Sequence, residues 1–70
     1  MAETPEKALE TAVKIAGGFT ALGRKLHISG EAIMQWETVP PRRVLAVERV
    51  TGVSRFLLRP EIYPPQEAAE

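Results

Sequence analysis

The chain has 70 residues, which is enough for one domain with a small hydrophobic core. It contains no cysteine and a single histidine, so disulfides and thiolate chemistry are excluded, and no enzyme, metal or cofactor site is expected. Nine basic and nine acidic residues cancel to a net charge of zero, so a DNA-binding surface needs its positive charge gathered on one face.

Membrane and export signals are not evident in the sequence. No apolar run is long enough to cross a bilayer. The first ten residues, MAETPEKALE, lack the basic and apolar regions of a signal peptide. We therefore expect a cytoplasmic protein.

The first predicted helix begins at Thr4 and Pro5. Threonine is a favoured N-cap, and proline suits the first helical position because the donor that it lacks would be unpaired there. Gly17 and Gly18 end the helix, since glycine readily adopts the left-handed conformation of a C-cap. The spacing predicts a buried face made of Leu9, Ala12, Val13 and Ala16.

The segment FTALGRKLHISGEAIMQW, residues 19–36, predicts two short helices joined by a tight turn. In the first, the apolar residues Phe19, Leu22 and Leu26 recur at i, i+3 and i+7. Ser29 is a favoured N-cap for the second. The predicted core side of this second helix consists of Ala32, Ile33 and Trp36. Two helices joined so closely form a helix-turn-helix, the unit that presents its second helix to the DNA major groove.

Two further short helices are predicted after this motif. Pro41 begins a helix that extends to about Thr51 and stops at Gly52. Its apolar residues are Val44, Leu45 and Val47. Ser54 caps a last turn at residues 55–58, which Pro60 prevents from continuing. The sequence therefore predicts an all-α fold of four to five short helices, with a domain at residues 4–59 and an extended, partly disordered tail at residues 60–70.

Three residues are interpreted as structural. His27 occupies the tight turn of the motif, where glycine is usual, and histidine is among the residues that tolerate a positive φ. Gly23 stands where alanine is common, at a cost of up to about 1 kcal/mol in helix propensity, and would permit closer helix contact. Glu48 falls near the buried side of the fourth helix, where a carboxylate needs a partner such as an arginine at 55 or 59.

The outward side of the motif's second helix carries the candidate base-reading residues. At about 100° per residue, Glu31, Met34 and Thr38 point away from the core, with Gly30 and Gln35 on the flanks. Gln35 could bond bidentately to adenine, Glu31 could accept from the cytosine amino group, and Met34 could contact a thymine methyl. The predicted base-reading set is Gly30, Glu31, Met34 and Gln35. The same residues also fit a solvated helix face without a ligand.

Phosphate contacts are expected from the flanks of this helix. Between Lys25 and Arg42 the chain has two glutamates and no basic residue, so the helix repels phosphates unless its flanks offset that repulsion. Arg42 and Arg43 oppose the macrodipole at the start of the fourth helix, which favours anion binding over a role in stability, with simple solvent exposure as the alternative. The predicted phosphate-binding residues are Thr20, Arg24, Lys25, Ser29, Thr38, Arg42 and Arg43.

Three blocks of the chain, AGGFTAL, VPPRRVLAVERVTGVS and LRPEIYP, carry a resemblance to a known family. In this order and spacing they resemble the small Cro-like, YdaS-type proteins of bacterial prophages, which are described as repressors or antitoxins. The resemblance covers about residues 8–64. It implies a lambda-repressor-like (Cro-type) fold. It also implies a dimer whose recognition helices enter successive major grooves and block transcription at a phage or toxin–antitoxin operator.

The sequence leaves two functions open. The first is a sequence-specific transcriptional regulator, a repressor that binds double-stranded operator DNA as a homodimer. The second is a protein–protein interaction module on the same scaffold, which would bind a toxin, a polymerase or another regulator through Met34, Glu31 and the neutral face. The zero net charge favours the second function, whereas the resemblance across the whole chain favours the first. The salt dependence of binding to duplex DNA distinguishes them.

Overall fold

Five α-helices make up the fold of residues 4–64, the part of the chain that this computed structural model describes. They are α1 (Pro5–Ala16), α2 (Phe19–Leu26), α3 (Gly30–Met34), α4 (Val44–Thr51) and α5 (Arg55–Leu58). A 3-10 turn, Pro41–Arg43, precedes α4. Residues 4–64 contain no strand, so the all-α prediction is confirmed. Among these helices none has the length and apolar character that a bilayer span requires.

Helix α1 begins and ends where its capping residues predict. The Thr4 side chain accepts a hydrogen bond from the Lys7 N–H at 3.1 Å, which satisfies one of the donors left unpaired at a helix start. At the other end, Gly17 has a φ of 104°, and the Gly18 N–H donates to the Val13 carbonyl at 2.8 Å. The left-handed glycine closes the helix and turns the chain towards α2.

The hydrophobic core lies where α1 packs against α2, α4 and α5. Leu22 of α2, Ile33 of α3 and Leu58 of α5 are completely buried. The other buried side chains are Ala8, Leu9, Ala12, Val13, Leu26, Val39, Val44, Val47 and Val53. The predicted buried face of α1 is confirmed except at Ala16, which is only half-buried.

Three residues of the apolar helix patterns are exposed, namely Phe19, Ala32 and Leu45, and of these the sequence assigns Ala32 to the core side. In α3, a helix of only five residues, Ile33 alone is buried, and Ala32 lies about 100° away from it around the helix. In α4, Val44 and Val47 are completely buried, which turns Leu45 outward with 44% of its surface exposed. Phe19, the first residue of α2, lies at the edge of the core and exposes 40% of its surface.

The start of α4 differs from the continuous helix that the sequence predicts. In the 3-10 turn the Arg43 N–H donates to the Pro40 carbonyl at 2.8 Å, and α-helical geometry begins only after this turn. The consecutive prolines explain the difference, because Pro41 has no N–H and Pro40 holds an extended conformation before it. The preceding Val39 is completely buried, although the sequence pattern does not predict it as a core residue.

Two arginines tie α4 and α5 to neighbouring segments. Arg55 Nε donates to the Glu48 carboxylate at 2.9 Å, which confirms that Glu48 pairs with an arginine. Arg59 Nη1 donates to the Val39 carbonyl at 2.8 Å, and Arg59 Nε donates to Glu61 at 2.7 Å. A hydrogen bond from its own backbone N–H, together with the Arg59 guanidinium, lowers the pKa of Glu61 from its usual value.

The predicted tail, residues 60–70, is described as far as residue 64. The N–H groups of Ile62 and Tyr63 both donate to the Arg59 carbonyl, at 3.0 and 2.9 Å. Tyr63 packs against the core, and the Arg55 guanidinium lies 5.7 Å from its ring centroid. Residues 65–70 lie outside the described residues, and the domain boundary at 59 stays a prediction.

Candidate nucleic-acid interface

The connection between α2 and α3 is only three residues long. His27 ends α2 in the left-handed conformation, with a φ of 63°, as expected for a turn residue that tolerates positive φ. The Ile28 N–H donates to the Gly23 carbonyl at 2.9 Å, and the Ser29 side chain accepts from the Ala32 N–H at 3.1 Å. These bonds end one helix and begin the next, so α2 and α3 form a helix-turn-helix-like pair.

Two glycines let α2 and α3 approach each other at the level of their backbones. A Cβ on Gly23 would lie 2.5 Å from the Ile28 carbonyl oxygen, and one on Gly30 would lie 3.0 Å from the Thr20 nitrogen. The first distance is shorter than real Cβ contacts and the second is at their lower limit. Gly23 thus permits the close contact expected from the sequence. The same contact explains glycine at position 30, whose base-reading role stays a prediction.

The other predicted base-reading residues lie on α3 or directly after it. Glu31, Met34 and Gln35 are exposed, and Met34 leaves 62% of its surface accessible. Gln35 is the C-cap, so it lies just beyond the last helical residue. Ala32 is exposed as well and adds a methyl group to this outward surface. Spacing alone assigns Ala32 to the core, because a five-residue helix is too short to define a face.

The predicted phosphate-binding cations lie in two segments that flank α3 along the chain. Arg24 and Lys25 are exposed near the end of α2, and Thr20 is exposed near its start. Arg42 is exposed and Arg43 is half-buried in the 3-10 turn. Each cation therefore has a surface that an anion can reach.

Two hydroxyl groups complete the predicted phosphate-binding set. Ser29 is exposed, and its oxygen already accepts the N-cap hydrogen bond from Ala32. Its hydroxyl proton is still available to donate. Thr38 is half-buried and lies after the end of α3. The helical projection that directs Thr38 outward therefore does not apply to its observed position.

The charges around α3 are not neutralised within the described part of the chain. The two ion pairs among residues 4–64 are those of Arg55 and Arg59 with their glutamates. They include none of the flanking cations Arg24, Lys25, Arg42 and Arg43. Glu31 and Glu37 are exposed and also lie outside both pairs. The region therefore offers free positive charge on the flanks and free negative charge at α3 itself.

A groove of about 160 Å³ opens between α1 and the end of α3, and the sequence pattern does not predict it. Its apolar lining consists of Leu9, Val13, Phe19, Met34 and Trp36, and its acidic lining consists of Glu6, Glu10 and Glu37. Trp36 is half-buried and packs against the core from one side of the groove. The sequence spacing groups only the α1 lining residues on one helix. The other lining residues come from separate segments and meet them through tertiary packing.

Comparison with known proteins identifies the family of the chain. Neither a curated protein nor a solved structure matches it. The family described as Bacterial toxin YdaS matches residues 9–67. This match spans the helix-turn-helix-like pair and every predicted site residue, and it confirms the resemblance to YdaS-type proteins. The chain belongs to the YdaS family.

Proposed function

We propose that this protein is a sequence-specific DNA-binding transcriptional regulator that represses transcription as a homodimer. The observation that best supports this function is the exposed outward surface of α3, which backbone contacts through Gly23 and Gly30 hold against α2. In a helix-turn-helix, the second helix enters the major groove while the first crosses the sugar-phosphate backbone. In this proposal α3 therefore reads base edges and α2 lies over the phosphates.

Base reading is assigned to the exposed residues of α3 and its C-cap. The Gln35 amide has the geometry that bonds bidentately to adenine, and the Glu31 carboxylate accepts from the cytosine amino group. Met34 and Ala32 offer apolar contact to a thymine methyl. Gly30 has no side chain, so it allows the backbone at the start of α3 to approach the DNA major groove.

Affinity is assigned to the donors and cations outside α3. Arg24, Lys25, Arg42 and Arg43 neutralise phosphates, and the hydroxyls of Thr20, Ser29 and Thr38 donate to them. These contacts offset the repulsion between phosphates and the two glutamates of the region, Glu31 and Glu37. A chain with zero net charge gains little from general attraction to DNA, so a dimer that doubles the contacts is part of the proposal. Its two α3 helices would lie about 34 Å apart, one helical turn of DNA.

The family's description as a bacterial toxin is compatible with this function. A regulator that occupies a needed promoter arrests growth without any enzymatic step. In this proposal the chain therefore acts by occupying DNA, and it requires neither a catalytic group nor a cofactor.

The experiment that tests this function is selection from a pool of randomised duplexes at low and at moderate salt, followed by sequencing. We expect enrichment of a palindromic sequence, because a two-fold dimer contacts two equivalent half-sites. The recovered spacing of the half-sites then measures the separation of the two α3 helices. Weak binding at low salt with no enriched sequence would reject DNA reading and leave the face of α3 for a protein partner.

Replacing both Arg42 and Arg43 with glutamine is predicted to weaken binding to all duplexes by a similar factor. The salt dependence is the slope of log K against log salt, and each lost phosphate contact reduces its magnitude by about 0.9. The slope of the double variant should therefore be smaller in magnitude by about 2. Fluorescence anisotropy across a salt series measures this slope. Arg49→Gln is the control, because Arg49 is also exposed but lies outside the predicted set. An unchanged slope in the double variant would remove both arginines from the interface.

Replacing Gln35 with alanine is predicted to relax the base preference at one position of each half-site. A good bidentate contact discriminates between bases by about 1–3 kcal/mol, which is roughly a 5- to 150-fold preference. Repeating the selection with this variant measures the change. The salt slope should stay at its wild-type value, because Gln35 carries no charge. If the variant selects the same sequence with the same strength, Gln35 does not read a base.

A protein–protein interaction module is the second candidate function, and the groove beside Met34 favours it. The groove joins apolar lining to three glutamates, a combination that repels nucleic acid and suits a protein surface. In this alternative Met34 and Glu31 contact a toxin, a polymerase or another regulator. DNA binding falls steeply with added salt because counterions are released, whereas apolar contact with a protein does not.

A further inference from the structure

The groove between α1 and α3 has the chemistry of a receptor for a basic, apolar surface. Its three glutamates, Glu6, Glu10 and Glu37, belong to neither of the ion pairs formed within residues 4–64. Its volume of about 160 Å³ is close to that of a roughly 150 Å³ engineered cavity that accepts benzene. The groove therefore has room for one large apolar side chain, with positive charges beside it.

The outward face of α4 carries this complementary chemistry. Leu45 exposes 44% of its surface and lies four residues before Arg49 on α4, a spacing that puts both on one side of the helix. Arg42 lies in the 3-10 turn directly before α4. Both arginines are exposed, and neither forms an ion pair within the described chain. Glu48, the carboxylate of α4, is paired with Arg55. The α4 face, which we define as Leu45 and Arg49 of α4 together with Arg42 just before the helix, thus combines an exposed apolar side chain with two unpaired cations.

We propose that the groove of one copy of the chain binds the α4 face of a second copy. Leu45 enters the groove, and Arg42 and Arg49 pair with its glutamates. A net charge of zero favours this association, because no overall repulsion keeps the copies apart. The groove and the α4 face are different surfaces, so the contact is head-to-tail, and a copy whose groove is filled still presents its α4 face to another.

This contact is weak and sensitive to salt. One apolar side chain and a few exposed ion pairs bury little surface, and the attraction between exposed charges is screened by added salt. The contact shares only Arg42 and Met34 with the residues assigned to DNA binding in the proposed function. Its test therefore contains no DNA and changes neither of these two residues.

The test compares Glu10→Arg, which disables the groove, with Leu45→Glu, which disables the α4 face. At low salt we expect the weight-average mass of the wild-type chain, measured by sedimentation, to rise with concentration, and each variant alone to lose most of that rise. An equal mixture of the two variants should associate again, but only into pairs, because the intact α4 face of one meets the intact groove of the other and no working surface is left for a third copy. Trp36 lines the groove, so its fluorescence emission should shift in the mixture and in neither variant alone.

The controls separate docking from folding and from general charge effects. Ile15→Glu introduces the same negative charge as Leu45→Glu, at an α1 residue that is 57% exposed and lies outside the groove. This variant should associate as the wild type does. Circular dichroism checks that each variant is folded. A second pair of variants, Glu6→Arg in the groove and Arg49→Glu on the α4 face, repeats the mixing test. The proposal is overturned if the wild-type chain keeps one mass up to millimolar concentration, if either variant associates like the wild type, or if mixing recovers nothing. A groove that accepts only a different protein gives the first of these results.

Discussion

Replacing Leu22 with alanine is expected to leave most of the protein unfolded at 25 °C. Leu22 is completely buried, and truncating a buried leucine costs about 2–5 kcal/mol because apolar contacts are lost and a cavity remains. A chain of 70 residues gains only about 3–5 kcal/mol from a single core. The loss is therefore comparable to the whole free energy of unfolding. Far-UV circular dichroism and a urea titration measure it.

The matched control is the same substitution at Leu45. This leucine exposes 44% of its surface on α4, so its truncation should lower the free energy of unfolding by at most about 1 kcal/mol. Both variants are measured at low protein concentration, where self-association through Leu45 does not contribute. Equal losses at the two positions would contradict the assignment of one leucine to the core and the other to the surface.

Replacing Gly23 with alanine is expected to displace the turn between α2 and α3. The new Cβ would lie 2.5 Å from the Ile28 carbonyl oxygen, which belongs to the backbone and cannot rotate away as a side chain would. Overpacking costs about 1–3 kcal/mol and occasionally more, while alanine regains about 1 kcal/mol of helix propensity. Since the clash is with backbone, we expect a net loss of about 2 kcal/mol and the loss of specific DNA binding. Urea titration and duplex binding measure the two effects.

Lys25→Ala provides the control for helix propensity in α2. Lys25 is exposed and forms no ion pair in the described chain, so its replacement should change the free energy of unfolding by less than about 0.5 kcal/mol. Its effect on DNA binding should be a uniform weakening without loss of sequence preference. A Gly23→Ala variant as stable as this control would show that α3 can shift to accommodate a side chain at no cost.

Helix ends are the part of the fold that the sequence predicts best, because capping depends on local chemistry. The side chains of Thr4, Ser29 and Ser54 each accept a backbone N–H at a helix start, as serine and threonine do at N-caps. Gly17 and Gly52 end their helices in the left-handed conformation. None of these choices depends on what packs against the helix.

Helix faces are predicted less well, because a face is defined by its partner. Ala32 and Leu45 fit an apolar spacing, yet they are exposed, since the neighbouring Ile33 and Val44 take the buried positions in short helices. Val39 shows the converse. It lies in a loop without periodicity, but its side chain is buried and its carbonyl accepts from Arg59 at 2.8 Å, a contact between residues 20 positions apart in sequence.

In the candidate site too, features that depend on local sequence are predicted and features that depend on tertiary packing are not. The exposure of Glu31, Met34 and Gln35 follows from local spacing and is found in the structure. The positive φ of His27 likewise follows from its place in the turn. The groove requires α1, the start of α2 and the end of α3 to meet, so no local pattern indicates it. Local spacing and packing determine where these surfaces lie. The choice between DNA and protein depends on the ligand as well, so it does not follow from the sequence pattern.

The backbone contact at Gly23 and Gly30 also bears on how such a protein can diversify. The two glycines fix the position of α3 without contributing any side chain to its outward surface. The identities of residues 31, 32, 34 and 35 can therefore change while the helix keeps its place. In the proposed function, a single substitution at one of them would alter recognition without a compensating change elsewhere in the scaffold. Descendants of such a gene can thus acquire new targets one step at a time, each step passing through a folded protein.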